Sequence, residues 1–340
     1  MSSIVPTTTL PCGLKVGKQG LGLMGFSCFY ESARNVSENQ AIEVFKQAVD
    51  AGVTLFNTAD FYGPLDSSGY GHNLRLLGKC LSAPGVDRSN LQIMMKIGID
   101  TRDGTFQHNA SPAELRKTVD WALEELGVDM IDILVLNRED SMTPLEESLD
   151  ALFDICKSGK AHFVGLSEFS AANIRRACKR GPIACAEMEY SLMTRDIEAD
   201  IIPACREHNV AIIAYAPLSR GLLSGAITSA PKDFKGASPR FSADNLPSNL
   251  ALVEALAKVA DKKGVSPSQI ALAWVHAQGS DVVPIPGTTN PANLASNVIA
   301  ASIILTEGDL AAIERACPAE AVKGDRYGHM AMTFHGNKDQ

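Results

Sequence analysis

Short apolar runs alternate with longer amphipathic segments along most of this chain. The runs Gly20–Leu23, Val53–Phe56, Leu91–Lys96, Ile131–Leu136, Ala161–Leu166, Ile183–Met188, Val210–Tyr215 and Val282–Ile285 are nearly continuous in apolar character. Runs of this length read as strands buried on both faces, the habit of parallel sheets. Between them the apolar period changes to that of a helix. Leu115, Val119, Ala122 and Leu126 share one face, as do Leu145, Leu149, Leu152 and Cys156. Helix starts are marked by Ser111-Pro112-Ala113-Glu114, Thr143-Pro144-Leu145-Glu146 and Ser266-Pro267-Ser268-Gln269. Each puts a capping hydroxyl first, proline at the first helical position, and Glu or Gln at the third. Ser37 and Gln40 repeat the box without proline. Strands alternating with helices predict an α/β fold, a (β/α)8 TIM barrel.

A doubly wound sheet is the other solution to this alternation. It binds a nucleotide through G-x-G-x-x-G between its first strand and helix. Gly20, Gly22 and Gly25 in GLGLMG fit that spacing, but Phe26 to Ser37 is polar and irregular, so no helix follows at once. The run reads better as a short barrel strand and its turn. Residues before Gly20 are expected to form a small hairpin at the barrel bottom. The longest irregular stretch, roughly Leu218 to Ser248, has the length of a functional loop. With no linker or low-complexity tract, residues 1–340 are expected to form a single domain.

Composition narrows the partners. Hydrophobic residues make up 45% and charged residues 21%, as in a soluble globular core. The net charge of −8 offers no basic excess for nucleic acid. No apolar run reaches the ~18–20 residues that span a bilayer. The N-terminus lacks the charged-then-apolar pattern of a signal peptide. The 8 cysteines contain no CxxC pair and the 7 histidines no cluster, which predicts free thiols in a reducing compartment and no metal site. A cytoplasmic protein acting on a small molecule is the expectation, with neither a nucleic acid nor a membrane as partner. Nothing in the pattern fixes the oligomeric state.

Barrel active sites gather at the C-terminal ends of the strands. Those ends carry Asn57 and Tyr62, Lys96, Asn137, Ser167, Glu187, Tyr215, and Pro286-Gly287. Any one of them alone reads equally well as strand punctuation. A tyrosine and a lysine on neighbouring strands can do more together, because reducing a carbonyl by hydride needs a proton donor at the developing alkoxide. Free tyrosine, with a pKa of ~10, is a poor acid at neutral pH, and an adjacent ammonium lowers that value. Tyr62 as general acid beside Lys96 meets the need.

LFNTADFYG (Leu55–Gly63), HFVGLSEFS (His162–Ser170), EMEYSLMTRDIE (Glu187–Glu198), IAYAPLSRGLLSG (Ile213–Gly225) and PIPGTTNPANLASN (Pro284–Asn297) resemble, in that order, segments of the aldo-keto reductases. These are NAD(P)H-dependent carbonyl reductases on a (β/α)8 barrel. GLGLMG and GDRY (Gly324–Tyr327) resemble the branch that includes pyridoxal reductases and plant or fungal aldehyde and ketone reductases. The resemblance implies that Tyr62 is the proton donor and Lys96 its tuner, and that a C-terminal tail lies over the active-site face. It implies that Ser167 and Glu187 bind the nicotinamide carboxamide, with glutamine usual at the latter position, and that Tyr215 stacks on the ring. It assigns Leu218, Ser219, Gly221 and Leu223 to the pyrophosphate, and Gly287, Thr288, Thr289, Asn293 and Asn297 to the adenosine end. The implied cofactor is NADPH, with NADH as the other candidate.

Besides Glu187, two positions and one segment depart from the family pattern. Asn57 stands where an aspartate usually pairs with the lysine, and Asn137 stands where a histidine is usual. An asparagine amide can orient a carbonyl but cannot titrate. PGTTNPANLASN has no Lys or Arg for a 2′-phosphate, which leaves hydroxyls, amides and the helix N-terminus at Asn290-Pro291 as the anion site. Losing the carboxylate at position 57 destabilises a charged lysine. If Lys96 stays protonated, the Tyr62 pKa falls further; if not, activation is lost. Asp60 is near, but strand alternation aims it elsewhere. Two functions follow: a reductase of aldehydes or ketones, pyridoxal or another aromatic aldehyde among them, or a catalytically weakened NADPH-binding barrel serving as sensor or structural partner.

Overall fold

The protein is described by a computed structural model covering residues 4–64 and 68–337. Its centre is one parallel sheet of 8 strands. In chain order these are β1 (Leu21–Gly22), β2 (Leu55–Ala59), β3 (Gln92–Ile97), β4 (Ile131–Leu136), β5 (Ala161–Ser167), β6 (Cys185–Glu189), β7 (Ala211–Tyr215) and β8 (Val282–Pro284). Each predicted run became a strand, and each strand pairs in parallel with its sequence neighbour.

The sheet closes on itself through glycines. The Gly20 N–H donates to the Pro284 carbonyl at 3.0 Å. A Cβ on Gly22 would sit 3.0 Å from the Ile285 carbonyl oxygen, and one on Gly287 only 2.8 Å from that of Gly22. Gly20 and Gly22 of the run GLGLMG are thus explained by the barrel seam, where backbones approach too closely for side chains, while Gly25 lies beyond it against the Tyr30 ring. After it come two short 3-10 turns, Met24–Phe26 and Glu31–Asn35, before the first helix.

Strand alternation sorts side chains into two cores. Leu55, Met94, Ile133, Val135, Cys185, Ala211, Ile213 and Val283 fill the barrel interior. The predicted hairpin, Thr7–Thr9 with Lys15–Gly17, plugs the bottom and adds Leu10 and Val16 to that cluster. Outward residues such as Phe56, Met95 and Leu134 pack under the helices in the larger core. One step of alternation beyond each interior residue lies the next inward position. On β2, β3 and β6 those positions are Asn57, Lys96 and Glu187.

The helices are α1 (Glu38–Asp50), α2 (His72–Leu81), α3 (Pro112–Leu126), α4 (Leu145–Lys157), α5 (Ala171–Arg180), α6 (Ile201–Glu207), α7 (Leu246–Lys263), α8 (Pro267–His276), α9 (Pro291–Ile299) and α10 (Glu307–Ala316). The predicted starts are realised unequally. Ser266 and Gln269 form the full reciprocal box. Ser37 accepts from the Gln40 N–H, but the Gln40 amide reaches away to the Thr289 carbonyl. Ser111 makes no side-chain cap bond. Thr143 is turned to Asp140, and α4 begins at Leu145 with Pro144 as its cap. Gln40 is thus drawn to a tertiary partner on the far side of the chain, whereas the Thr143 hydroxyl donates to a residue three positions before it. None of the described helices is long and apolar enough to cross a membrane. All 8 cysteines are free. The tail after α10 crosses the C-terminal ends of the strands and buries Arg326 there.

Candidate active site

The C-terminal ends of β2, β3 and β6 bring three polar side chains into mutual contact. Lys96 Nζ donates to Asn57 Oδ1 at 2.7 Å. The same ammonium lies 3.0 Å from Glu187 Oε1 and 3.3 Å from Oε2. Asn57 Nδ2 donates to Glu187 Oε2 at 2.8 Å. All three residues are buried. Tyr62, on the loop after β2, is also buried, and Lys96 Nζ stands 5.0 Å from its ring centroid. The family resemblance implied that Glu187 binds the nicotinamide carboxamide. The structure turns both its carboxylate oxygens toward Lys96 and Asn57, so Lys96 does have a carboxylate partner, supplied by β6 rather than β2.

Electrostatics here differ from the expectation that Lys96 lowers the Tyr62 pKa. Burial raises the Tyr62 phenol well above its ordinary value, and Glu187 adds to that rise, while Arg138 opposes it. Burial pushes Lys96 below its ordinary value, opposed chiefly by Glu187. Asp60 is aimed away, as alternation predicts: it accepts from Tyr70 Oη at 3.1 Å, and burial lifts its carboxyl to about 8. Asn137 follows β4, and its Oδ1 accepts from Arg138 Nη1 at 3.1 Å. Its Nδ2 amide group is the donor that Asn137 can offer to a ligand oxygen. Arg138 Nη1 also donates to Ser167 Oγ at 3.1 Å, and its Nε to the tail carbonyl of Met332 at 2.8 Å.

A second cluster lies at the ends of β5, β6 and β7. Tyr215 Oη donates to Glu168 Oε1 at 2.9 Å. Arg326 grips Glu168 with Nη2 at 2.7 Å and Nη1 at 3.0 Å, and its Nη1 also reaches Tyr215 Oη at 3.0 Å. Glu189 pairs with Arg220 at 2.9 Å. Beyond Tyr215 the backbone is left-handed at Ala216, Ser219, Arg220 and Gly221. Left-handed backbone at non-glycine residues is strained and concentrates at ligand clamps.

A cleft of about 350 Å³ opens beside that loop, lined among others by Leu218, Gly221, Gly287, Thr288, Asn293 and Asn297. These six, assigned by the resemblance to the cofactor, line one cleft. The other assigned residues do not line it. Ser219 is buried and its Oγ accepts from Arg240, Leu223 packs in the core, and the Thr289 carbonyl is taken by Gln40. The α9 N-terminus is partly used up as an anion site, because Asn290 Oδ1 already accepts from the Ala292 and Asn293 N–H groups. Arg220 and Lys235 also line the cleft. The left-handed loop and these two cations fit the phosphates of a dinucleotide.

The profile of the Aldo/keto reductase family matches residues 19–317. The chain belongs to this family. It is therefore an oxidoreductase of the class that reduces carbonyls with a nicotinamide cofactor. Among solved structures, the aldo-keto reductase superposes on a glycerol dehydrogenase from Gluconobacter oxydans with a TM-score of 0.80 and 27% identity, over 91% of this chain and 94% of that one. It shares its fold with a thermostable aldo-keto reductase solved with the inhibitor epalrestat, at a TM-score of 0.71 and 24% identity, over 92% of this chain and 99% of that one.

Several residues of this reductase's site escape a reading of the sequence. Arg138 directly follows Asn137, and Glu168 directly follows Ser167 with a φ of 59° that swings it inward past the strand end. Arg326 sits inside the GDRY run, which the sequence marks only as a feature of the branch. Adjacency to named site residues is the one signal that points to the first two.

Proposed function

We propose that this protein reduces an aldehyde or ketone to an alcohol, with Tyr62 as proton donor, Lys96 as the group that tunes it, and Asn57 and Asn137 as hydrogen-bonding supports. The buried contact of Lys96 with Asn57 and Glu187, next to Tyr62, carries this reading. When bound in the cleft, the nicotinamide cofactor supplies the hydride. Tyr62 holds its proton firmly while buried, which keeps the acid form available at neutral pH. Lys96 offers positive charge to the phenolate left after donation. A general acid of this kind is worth ~10²–10⁴-fold in rate. Asn137 Nδ2 orients the carbonyl oxygen.

The wall beside Tyr62 favours an apolar or aromatic carbonyl such as pyridoxal. Cys28, Phe61 and Ile99 cluster with Tyr62, and Met24 and Phe29 pack against them. Phe106 joins through Phe29 at 6.1 Å and Phe61 at 6.0 Å. NADPH is the cofactor we favour. Selectivity over NADH should be modest, because the cations of the cleft, Arg220 and Lys235, each pair with an acid, Glu189 and Asp233. The weakened-barrel alternative rests on the loss of both the aspartate and the histidine, at Asn57 and Asn137; Glu187 answers the first loss and supports the catalytic reading.

NADPH quenching of protein fluorescence, followed by NADPH and NADH oxidation over aromatic aldehydes, pyridoxal and aliphatic ketones, tests the proposal. Glycerol in the oxidative direction belongs in the panel because of the similar glycerol dehydrogenase. Turnover that disappears in Tyr62→Phe is expected. Tight binding without turnover on any substrate would sink the catalytic reading in favour of a sensor.

A further inference from the structure

We propose that Glu187 is a positioning residue for proton transfer: the carboxylate that keeps Lys96 charged has moved in this chain from β2 to β6. This rests on the reading of Tyr62 and Lys96 just given and deepens it. Two departures from the family pattern, Asn57 for aspartate and Glu187 for glutamine, look unrelated in the sequence. In the structure they touch, and together they are one exchange: the acid and the amide have traded strands across the barrel while both still contact the same ammonium. A carboxylate has only acceptors to offer. Glu187 sets Oε1 3.0 Å from Lys96, and its Oε2 accepts from Asn57 Nδ2 at 2.8 Å while lying 3.3 Å from the same ammonium.

No other neighbouring group can replace Glu187 in this role. The charged or titratable groups that act on Lys96 come from every adjoining element: Asp60 after β2, Arg138 after β4, Cys28 from the loop after β1, Cys185 on β6, and Tyr62. Burial holds Cys28, Cys185 and Tyr62 neutral, and Arg138 is a like charge. Asp60 is bonded to Tyr70, and its carboxyl titrates only at about 8. A lysine buried to 2% exposure and left without a carboxylate sheds its proton, since desolvation disfavours the ammonium. Glu187 therefore sets the pH range over which Lys96 can assist Tyr62.

The test is a charge-return series: Glu187→Gln, Asn57→Asp, and the double variant Asn57→Asp/Glu187→Gln. The readouts are the pH profile of kcat with 4-nitrobenzaldehyde and NADPH, and urea unfolding midpoints from pH 6 to 9. In Glu187→Gln, Lys96 loses its counterion, so the alkaline limb of kcat moves acidward by about one pH unit or more, and the midpoint drops. The double variant returns the carboxylate to β2 and restores both. A Glu187→Gln protein that matches the wild type in both readouts would overturn the proposal, as would a double variant no better than Glu187→Gln. If Glu187→Gln does not fold, the double variant decides: folded and active supports the exchange, unfolded overturns it. If the wild type turns over no carbonyl, the proposed function fails, and the unfolding series still tests the exchange.

Discussion

Arg326 is the point where the tail is latched to the barrel, and its removal should be felt far from the chain terminus. Its guanidinium is 1% exposed and holds the fully buried Glu168 through two bonds, at 2.7 and 3.0 Å. Burial alone would raise the Glu168 carboxyl; the charge and bonds of Arg326 reverse this and hold it below its ordinary value. Replacing Arg326 with Met keeps the bulk of the stem and leaves Glu168 without its cation. Breaking a buried pair from one side costs ~3–5 kcal/mol. That cost depends on pH. Glu168 can escape by taking a proton, so the deficit of Arg326→Met should be largest near pH 8 and shrink as pH falls toward 5. Urea unfolding followed by circular dichroism at several pH values measures this, since urea does not screen charge as guanidinium does. Arg326→Met/Glu168→Gln should recover part of the loss, because no buried charge is then stranded. Tyr215 Oη loses its bond from Arg326 at 3.0 Å as well, so NADPH quenching should weaken. A loss under ~1 kcal/mol, or one that is the same at every pH, would refute the latch as described.

Two further groups make stability depend on pH in opposite directions. Burial lifts the Asp60 carboxyl from 3.8 to about 8, so the folded chain keeps a proton that the unfolded chain releases, and stability is lost as pH rises through that window. Asp60→Asn has nothing to ionise, so its unfolding free energy should gain on the wild type by at most ~1.4 kcal/mol per pH unit between pH 5 and 8; a constant difference would contradict this. His276 moves the other way. Burial and then Lys18 lower its pKa from 6.5 to about 3, so the unfolded chain takes the proton first and stability is lost as pH falls below 6.5. His276→Gln should flatten the acid side of the stability curve between pH 6 and 4, and an unchanged slope would mean that other groups dominate there.

The elements were legible because the pattern that drives them is local. β4 is buried along its whole length and almost wholly apolar, and every residue of β6 below Glu187 is apolar, so both read as strands covered on both faces. The capping box at Ser266 was legible because both partners lie within one turn. The start at Thr143 was misplaced because its hydroxyl found Asp140, outside the helix. The strand ends also named Asn57, Lys96, Asn137, Ser167, Glu187 and Tyr215, since a lone polar residue after an apolar run marks the mouth of a barrel.

Partnership across the barrel was not legible. Asn57 and Glu187 are 130 positions apart, and Lys96 and Glu187 are 91 apart. Arg326 and Glu168 are separated by 158. No periodicity links such distances; only closure of the sheet at the Gly20, Gly22 and Gly287 seam brings these residues around one axis. The sequence alone determined the strands, the helices and the chemical inventory of the site, because each depends on a few neighbouring residues. The tertiary structure decided which carboxylate serves Lys96, where the tail is anchored and which titrating groups are stranded in the interior, because burial and contact between distant strands exist only once the barrel is closed.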